Sequence, residues 1–258
     1  MNEQTPIPPQ IPPQLPPITA YGASRQPGDD PSDRVAIPNP IAAIEAILRQ
    51  PRRVMFQLRQ PGAGRLIAGM VFVAVVCAII YGVVAGTFTG GMQLWAAPVK
   101  IAVGLMISAL ICLPSLYIFT CLSGSQARLV EVIGLLAGLL LLMTILLIGF
   151  APVTWIFSQS TESLVWMGAL HLVFWLVATL FGLRYLANGF SHSNARSMAG
   201  FYTWVVIFLL VAIQMTTALR PILGTSETFF PTEKKFFLSH WGDCLNLWDG
   251  GLKSRSRE

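Results

Sequence analysis

Two short stretches carry side chains that could hold a metal. GDDPSD sets Asp29, Asp30 and Asp33 in a D-D-x-x-D pattern. Three carboxylates so close together could bind a hard cation through oxygen ligands. The stretch lies among prolines, with no helix to hold its geometry and no second acidic cluster, so a solvated turn is the expectation. Near the other end, SHWGDC brings together His240, Asp243 and Cys244. These supply three zinc-type ligands and no obvious fourth, and a solvated tail is again expected. No metal or cofactor is predicted. The chain has no H-E-x-x-H, G-x-S-x-G or G-x-x-x-x-G-K-[ST] and no intramembrane aspartate pair, so none of the chemistry those spacings support is indicated and the expected function is non-enzymatic.

The remaining candidates lie inside apolar runs, where an ionisable side chain is costly and points to function by default. His171 falls about a third of the way into one run and Gln214 near the end of another. Glu131 and Arg184 fall at run boundaries, where a long side chain can reach water. A single histidine more often makes one interhelical hydrogen bond than carries protons. A pump would need a chain of such groups.

Composition explains why these residues sit in apolar runs. Of 258 residues, 54% are hydrophobic and 11% charged, against about 25% charged in soluble domains. The mean hydropathy is +0.63. The class is therefore an all-α integral membrane protein. The net charge of +5 is clustered beside apolar runs and does not indicate nucleic acid. Five stretches reach the roughly 20 residues that cross a bilayer core. They are residues 66–86, 101–121, 129–157, 164–187 and 200–219, and they form a bundle domain over 66–219. Helices are expected because each backbone group must be satisfied within its own segment.

Short loops and their charges suggest an orientation. Arg49, Arg52, Arg53, Arg59, Arg65, Arg128, Arg184 and Arg196 fall on one side, and Lys100, Arg220, Lys234 and Lys235 on the other. The positive-inside rule then places the N-terminus in the cytoplasm and, after five spans, the C-terminus outside. No cleavable signal peptide is read in the first residues, and a bacterial inner or plasma membrane is the expected location. Trp95, Trp155 and Trp166 fall at outer boundaries and Tyr185, Tyr202 and Trp204 at inner ones, as interfacial aromatic belts do.

Within the spans, Ala74, Ala78, Gly82, Gly86 and Gly90 recur every fourth residue, and Gly134 and Gly138 repeat the spacing. Such stripes let helix backbones approach closely, within one bundle or between two copies of the chain. Pro114 and Pro152 each remove a helix hydrogen bond and are expected to kink their spans, with Ser115 or Thr120 available to satisfy freed carbonyls. The cysteines Cys77, Cys112 and Cys121 lie in or at the end of spans and are expected to pack as small apolar groups.

Three segments flank the bundle. Residues 1–38 hold ten of the eighteen prolines and read as a disordered, polyproline-type tail, a spacer or a ligand for a proline-binding groove. Residues 39–65 begin with Asn39 as helix cap and Pro40 at the first turn. Ile41, Ile44, Ile47 and Leu48 then share one face, with Arg49, Arg52, Arg53 and Arg59 for a headgroup layer. Residues 220–258 hold Phe229, Phe230, Phe236, Phe237 and Trp241, expected on a short interfacial helix or a partner surface. Each buried ring contributes roughly 1.5–3 kcal/mol.

This layout resembles the Yip1 family in its broad, prokaryote-inclusive sense. A polar cytoplasmic region, five closely spaced spans with short loops and little beyond them cover about residues 40–220. The resemblance implies a membrane organiser rather than an enzyme. The D-L-Y-G-P-type motif that eukaryotic members carry before the first span is absent, so it implies no trafficking partner and no residue roles. The expected function is a scaffold or assembly subunit that recruits other membrane or envelope proteins through its tails. The alternative is a channel or transporter subunit using kinked helices, His171 and Gln214.

Overall fold

The computed structural model describes residues 26–87, 93–160, 164–192 and 197–218, with the side chains at 93, 164–165 and 213–218 left aside. The elements are a 3-10 turn at Pro31–Arg34 followed by seven helices: α1 Pro40–Arg49, α2 Pro51–Leu58, α3 Ala63–Thr87, α4 Gln93–Leu122, α5 Leu129–Ser160, α6 Leu164–Ser191 and α7 Ala199–Ala218. The described residues are helical with no strand. Helices α3 to α6 are long and apolar enough to cross a membrane, and α7 carries a shorter apolar stretch, Ala199–Ala212. The aromatic segment 229–241 and Gly90 lie outside the described residues.

The helices α3 to α7 pack side by side in the order α6, α5, α3, α4, α7, with α5 the most buried. Small residues set this order. Gly82 presses α3 against α4 so closely that a Cβ there would overlap the Pro98 backbone, and Gly138 receives the Tyr185 ring of α6. Ala74, Ala78, Gly82 and Gly86 are all buried along α3. Against this interior, α4 remains helical through Pro98 and Pro114, and α5 through Pro152. Ser115 and Thr120 donate to the Cys112 and Leu116 carbonyls. Neither reaches Leu110, whose carbonyl Pro114 deprives of its donor.

Helix α4 begins eight residues before the expected span, so Lys100 does not lie in a loop but is buried within the helix. Two belt aromatics are likewise interior. Trp204 is fully buried, stacks on Phe208 with ring centroids 5.1 Å apart and donates its indole N–H to the Cys112 carbonyl at 3.0 Å. That bond ties α7 to α4. Tyr185 is buried against α5. Trp95, Trp155, Trp166 and Tyr202 are exposed.

One end of the bundle, here the proximal end, is capped by α1, α2 and the segment before them. Asn39 caps α1, its side-chain oxygen accepting the Ala42 N–H at 2.7 Å, and Pro40 follows at the first turn. The buried face of α1 is Ala43, Ala46 and Ile47, so Ile41 and Leu48 do not join Ile47 on one face. They are exposed on the opposite side, with Ile44 between them. Helix α1 thus buries one apolar face and exposes Ile41 and Leu48 beside the Glu45–Arg49 pair. Helix α2 buries Val54, Met55 and Leu58, and Leu58 occupies the space a Cβ at Gly134 would need.

Residues 26–38, expected as part of the disordered tail, fold onto α2. Arg53 donates from Nε to the Val35 carbonyl and from Nη2 to the Ala36 carbonyl, both at 2.9 Å, and the Gln57 amide reaches Val35 at 3.2 Å. The three aspartates organise this turn. Asp29 accepts the Gln26 N–H, Asp30 the Ser32 N–H and hydroxyl, and Asp33 the Gly28 N–H. Gly28 has φ +98°, a conformation glycine adopts without strain. Asp33 is buried rather than solvated.

Candidate functional site

Four buried residues with polar groups lie towards the other, distal end, while Ser108, Thr144 and Thr179 are buried near mid-helix and Thr120 at the proximal end of α4. Tyr81 stands six residues before the end of α3 and Thr154 six before the end of α5; Lys100 lies seven after the start of α4 and His171 seven after the start of α6. At 1.5 Å per residue, each is about 10 Å in from its helix end. Alternate spans run in opposite directions, so these positions share one level. Their relative exposures are 0% for Tyr81 and Thr154, 2% for Lys100 and 8% for His171. Four helices thus each place one polar residue at this depth, and Tyr81, His171 and Thr154 come together there.

The centre of the layer is a hydrogen bond of 2.7 Å between the Tyr81 hydroxyl and His171 Nδ1, with the rings edge to face at 84°. The Thr154 hydroxyl neighbours the Tyr81 hydroxyl, yet it closes no hydrogen bond of good geometry. His171 Nε2 also has no partner. With Tyr81 donating to Nδ1, the ring proton sits on Nε2 and faces no acceptor. With the ring donating from Nδ1, Nε2 is a lone acceptor. Either tautomer leaves one ring nitrogen unmet. Such a buried orphan costs about 1–3 kcal/mol, and a native fold usually reserves one for a purpose or a bound water.

Packing holds the layer rigid. Gly82, next to Tyr81, lies on Pro98, two residues before Lys100. Four residues before Thr154, Phe150 stacks on Phe174 of α6 with centroids 4.5 Å apart, three residues after His171. The layer is therefore bracketed by one small-residue contact and one aromatic contact.

Of the intramembrane polar residues expected from the sequence, His171 alone belongs to this layer. Gln214 is on α7, and its side chain lies outside the description. Tyr81, Thr154 and Lys100 were not foreseen as a group. The signal for them is geometric: antiparallel spans bring polar residues at matching depth together. The basic residues divide differently. Arg53 is occupied by carbonyls; Arg59 lies 3.8 Å from Glu131 and donates to the His192 carbonyl at 2.8 Å. Arg49 meets Glu45 at 3.4 Å on the exposed side of α1, and Arg52 is exposed. Two of the four arginines expected at lipid headgroups instead tie segments together. Among the described residues, no three metal-ligating side chains converge. No protein-family model, no curated protein and no solved structure matches this chain.

Proposed function

We propose that the chain is a five-span, non-enzymatic assembly subunit of a membrane, with α7 as the fifth span and the proximal end in the cytoplasm. The observation that carries this reading is the Arg53 clamp on Val35 and Ala36. It holds the segment that follows the proline-rich residues 1–25 onto α2. A juxtamembrane segment anchored in this way suits recruitment of other membrane proteins. The resemblance of the expected layout to the Yip1 family fits the same reading. The test is cross-linking in native membranes followed by affinity purification of the full chain, a chain lacking residues 1–25, and Arg53→Ala. The reading expects partners that vanish with the deletion and weaken with Arg53→Ala. Identical partner sets from all three would sink it.

The distal layer favours a second reading, a channel or transporter subunit in which the unmet His171 nitrogen receives a passing proton or polar solute. Proteoliposomes loaded with a pH-sensitive dye test it. A proton leak present in the native chain and lost in His171→Leu supports transport; equal leaks from the native chain, His171→Leu and empty vesicles remove it.

A further inference from the structure

A cleft of about 400 Å³ opens at the proximal end between residues 36–40, α1 and the start of α3. Its floor is apolar, formed by Ile37, Pro40, Ala43 and Leu66, and its rim is polar, with Gln60 and Arg65. Its level follows from α3. The chain changes there from Gln60-Pro61-Gly62 to the apolar run that follows Arg65, so the cleft sits where headgroups meet acyl chains. Helix α1 agrees, because Ile41 and Leu48 point away from the protein with 77% and 48% exposure. Apolar groups so exposed beside a span, next to the charged Glu45 and Arg49, suit the interface between headgroups and acyl chains.

The rim is charged in one sense. The Arg65 side chain is exposed, and among the described residues no acid lines the cleft. Neither the Arg53 clamp nor the Arg59–Glu131 pair includes Arg65. We infer that this cleft seats the headgroup of an anionic phospholipid, with its phosphate on the Arg65 guanidinium and Gln60 amide and its first acyl carbons over Leu66. An arginine beside apolar lining at a membrane boundary is the arrangement that selects anionic headgroups. The inference goes beyond the assembly reading and does not depend on it.

The test uses the full chain in mild detergent with an equimolar mixture of phosphatidylglycerol and phosphatidylcholine carrying the same acyl chains. Native mass spectrometry counts what stays bound. The native chain is expected to retain phosphatidylglycerol about fivefold over phosphatidylcholine, the scale of one arginine at an anionic surface. Arg65→Gln, an exposed change that leaves the fold intact by gel filtration, brings the ratio close to one. Arg52→Gln, outside the cleft, leaves it unchanged. Equal retention of the two lipids by the native chain overturns the proposal. So does a ratio that Arg65→Gln leaves alone or that Arg52→Gln lowers equally, since the preference would then be diffuse. Displacement of the lipid by millimolar inorganic phosphate would make this a free-phosphate site and overturn a lipid as its occupant.

Discussion

The two ends of the bundle treat polar groups in opposite ways. At the proximal end they are mostly matched. Arg53 holds two carbonyls, Arg59 holds Glu131 and the His192 carbonyl, and Trp204 donates to Cys112. At the distal end, Tyr81 and His171 meet, but His171 Nε2 and Thr154 Oγ1 have no partner. Matched groups are what stability and fixed geometry select. An unmatched pair at the meeting point of several spans is kept at a cost, and it is where a solute, a proton or a water would find a partner. The comparison therefore assigns architecture to one end and leaves the other as the place to look for chemistry.

The sharpest way to break the contrast is Tyr81→Phe. It would strip His171 of its one resolved hydrogen bond and leave a second ring nitrogen unmet. The expected loss is about 2 kcal/mol, read as a lower thermal midpoint in detergent. The double variant Tyr81→Phe with His171→Leu should recover most of that loss, because removing both partners costs less than orphaning one. A single variant as stable as the native chain would mean that the Tyr81–His171 bond carries no weight.

On the proximal side, Trp204→Phe should cost about 1 kcal/mol for the lost indole bond, with a further packing penalty for the smaller ring. The ring stack on Phe208 survives, so the helix should stay docked. Cysteine cross-linking between α4 and α7 checks that. If α7 separates, the indole bond rather than the apolar surface holds it.

Much of this architecture is legible from local pattern. Apolar runs of membrane length mark α3 to α6, Asn39-Pro40 marks the start of α1, and the four-residue stripe of Ala74, Ala78, Gly82 and Gly86 marks a buried face. The distal layer is not legible in this way. Its hydrogen bond joins residues 90 positions apart, and no period within one helix reveals it. Lys100 was misread for a different reason. Pro98 and Lys100 two residues on look like loop punctuation, yet α4 runs through both, with Gly82 of α3 pressed against the Pro98 backbone. The aspartates of GDDPSD show the converse. Their spacing looks like a metal site, but each carboxylate accepts a backbone N–H of its own turn.

Arg59→Gln probes the weaker kind of proximal match. The pair with Glu131 is partly exposed, with side-chain exposures of 32% and 17%, and its separation is 3.8 Å. Pairs of this sort contribute about 0.2–1 kcal/mol and are screened by salt. The expected loss is at the upper end of that range at low salt, because the bond to the His192 carbonyl goes too. It should shrink as salt rises. A loss that does not change with salt would assign the contribution to that carbonyl bond alone.

The smallest effect tests Tyr185, which among the described proximal residues breaks the pattern. Tyr185 is buried on α6 with its ring against Gly138, and its hydroxyl has no partner. If unmatched groups are kept only where they serve, this one should be dispensable. Tyr185→Phe removes the orphan hydroxyl and keeps the ring, so stability should change by no more than about 0.5 kcal/mol and in the favourable direction. The proton-leak and lipid-retention measurements should be unaffected. A clear destabilisation would show that the hydroxyl holds a water within the bundle. The proximal end would then contain an unmet site of its own, and the division between a matched end and an unmatched one would no longer separate architecture from chemistry.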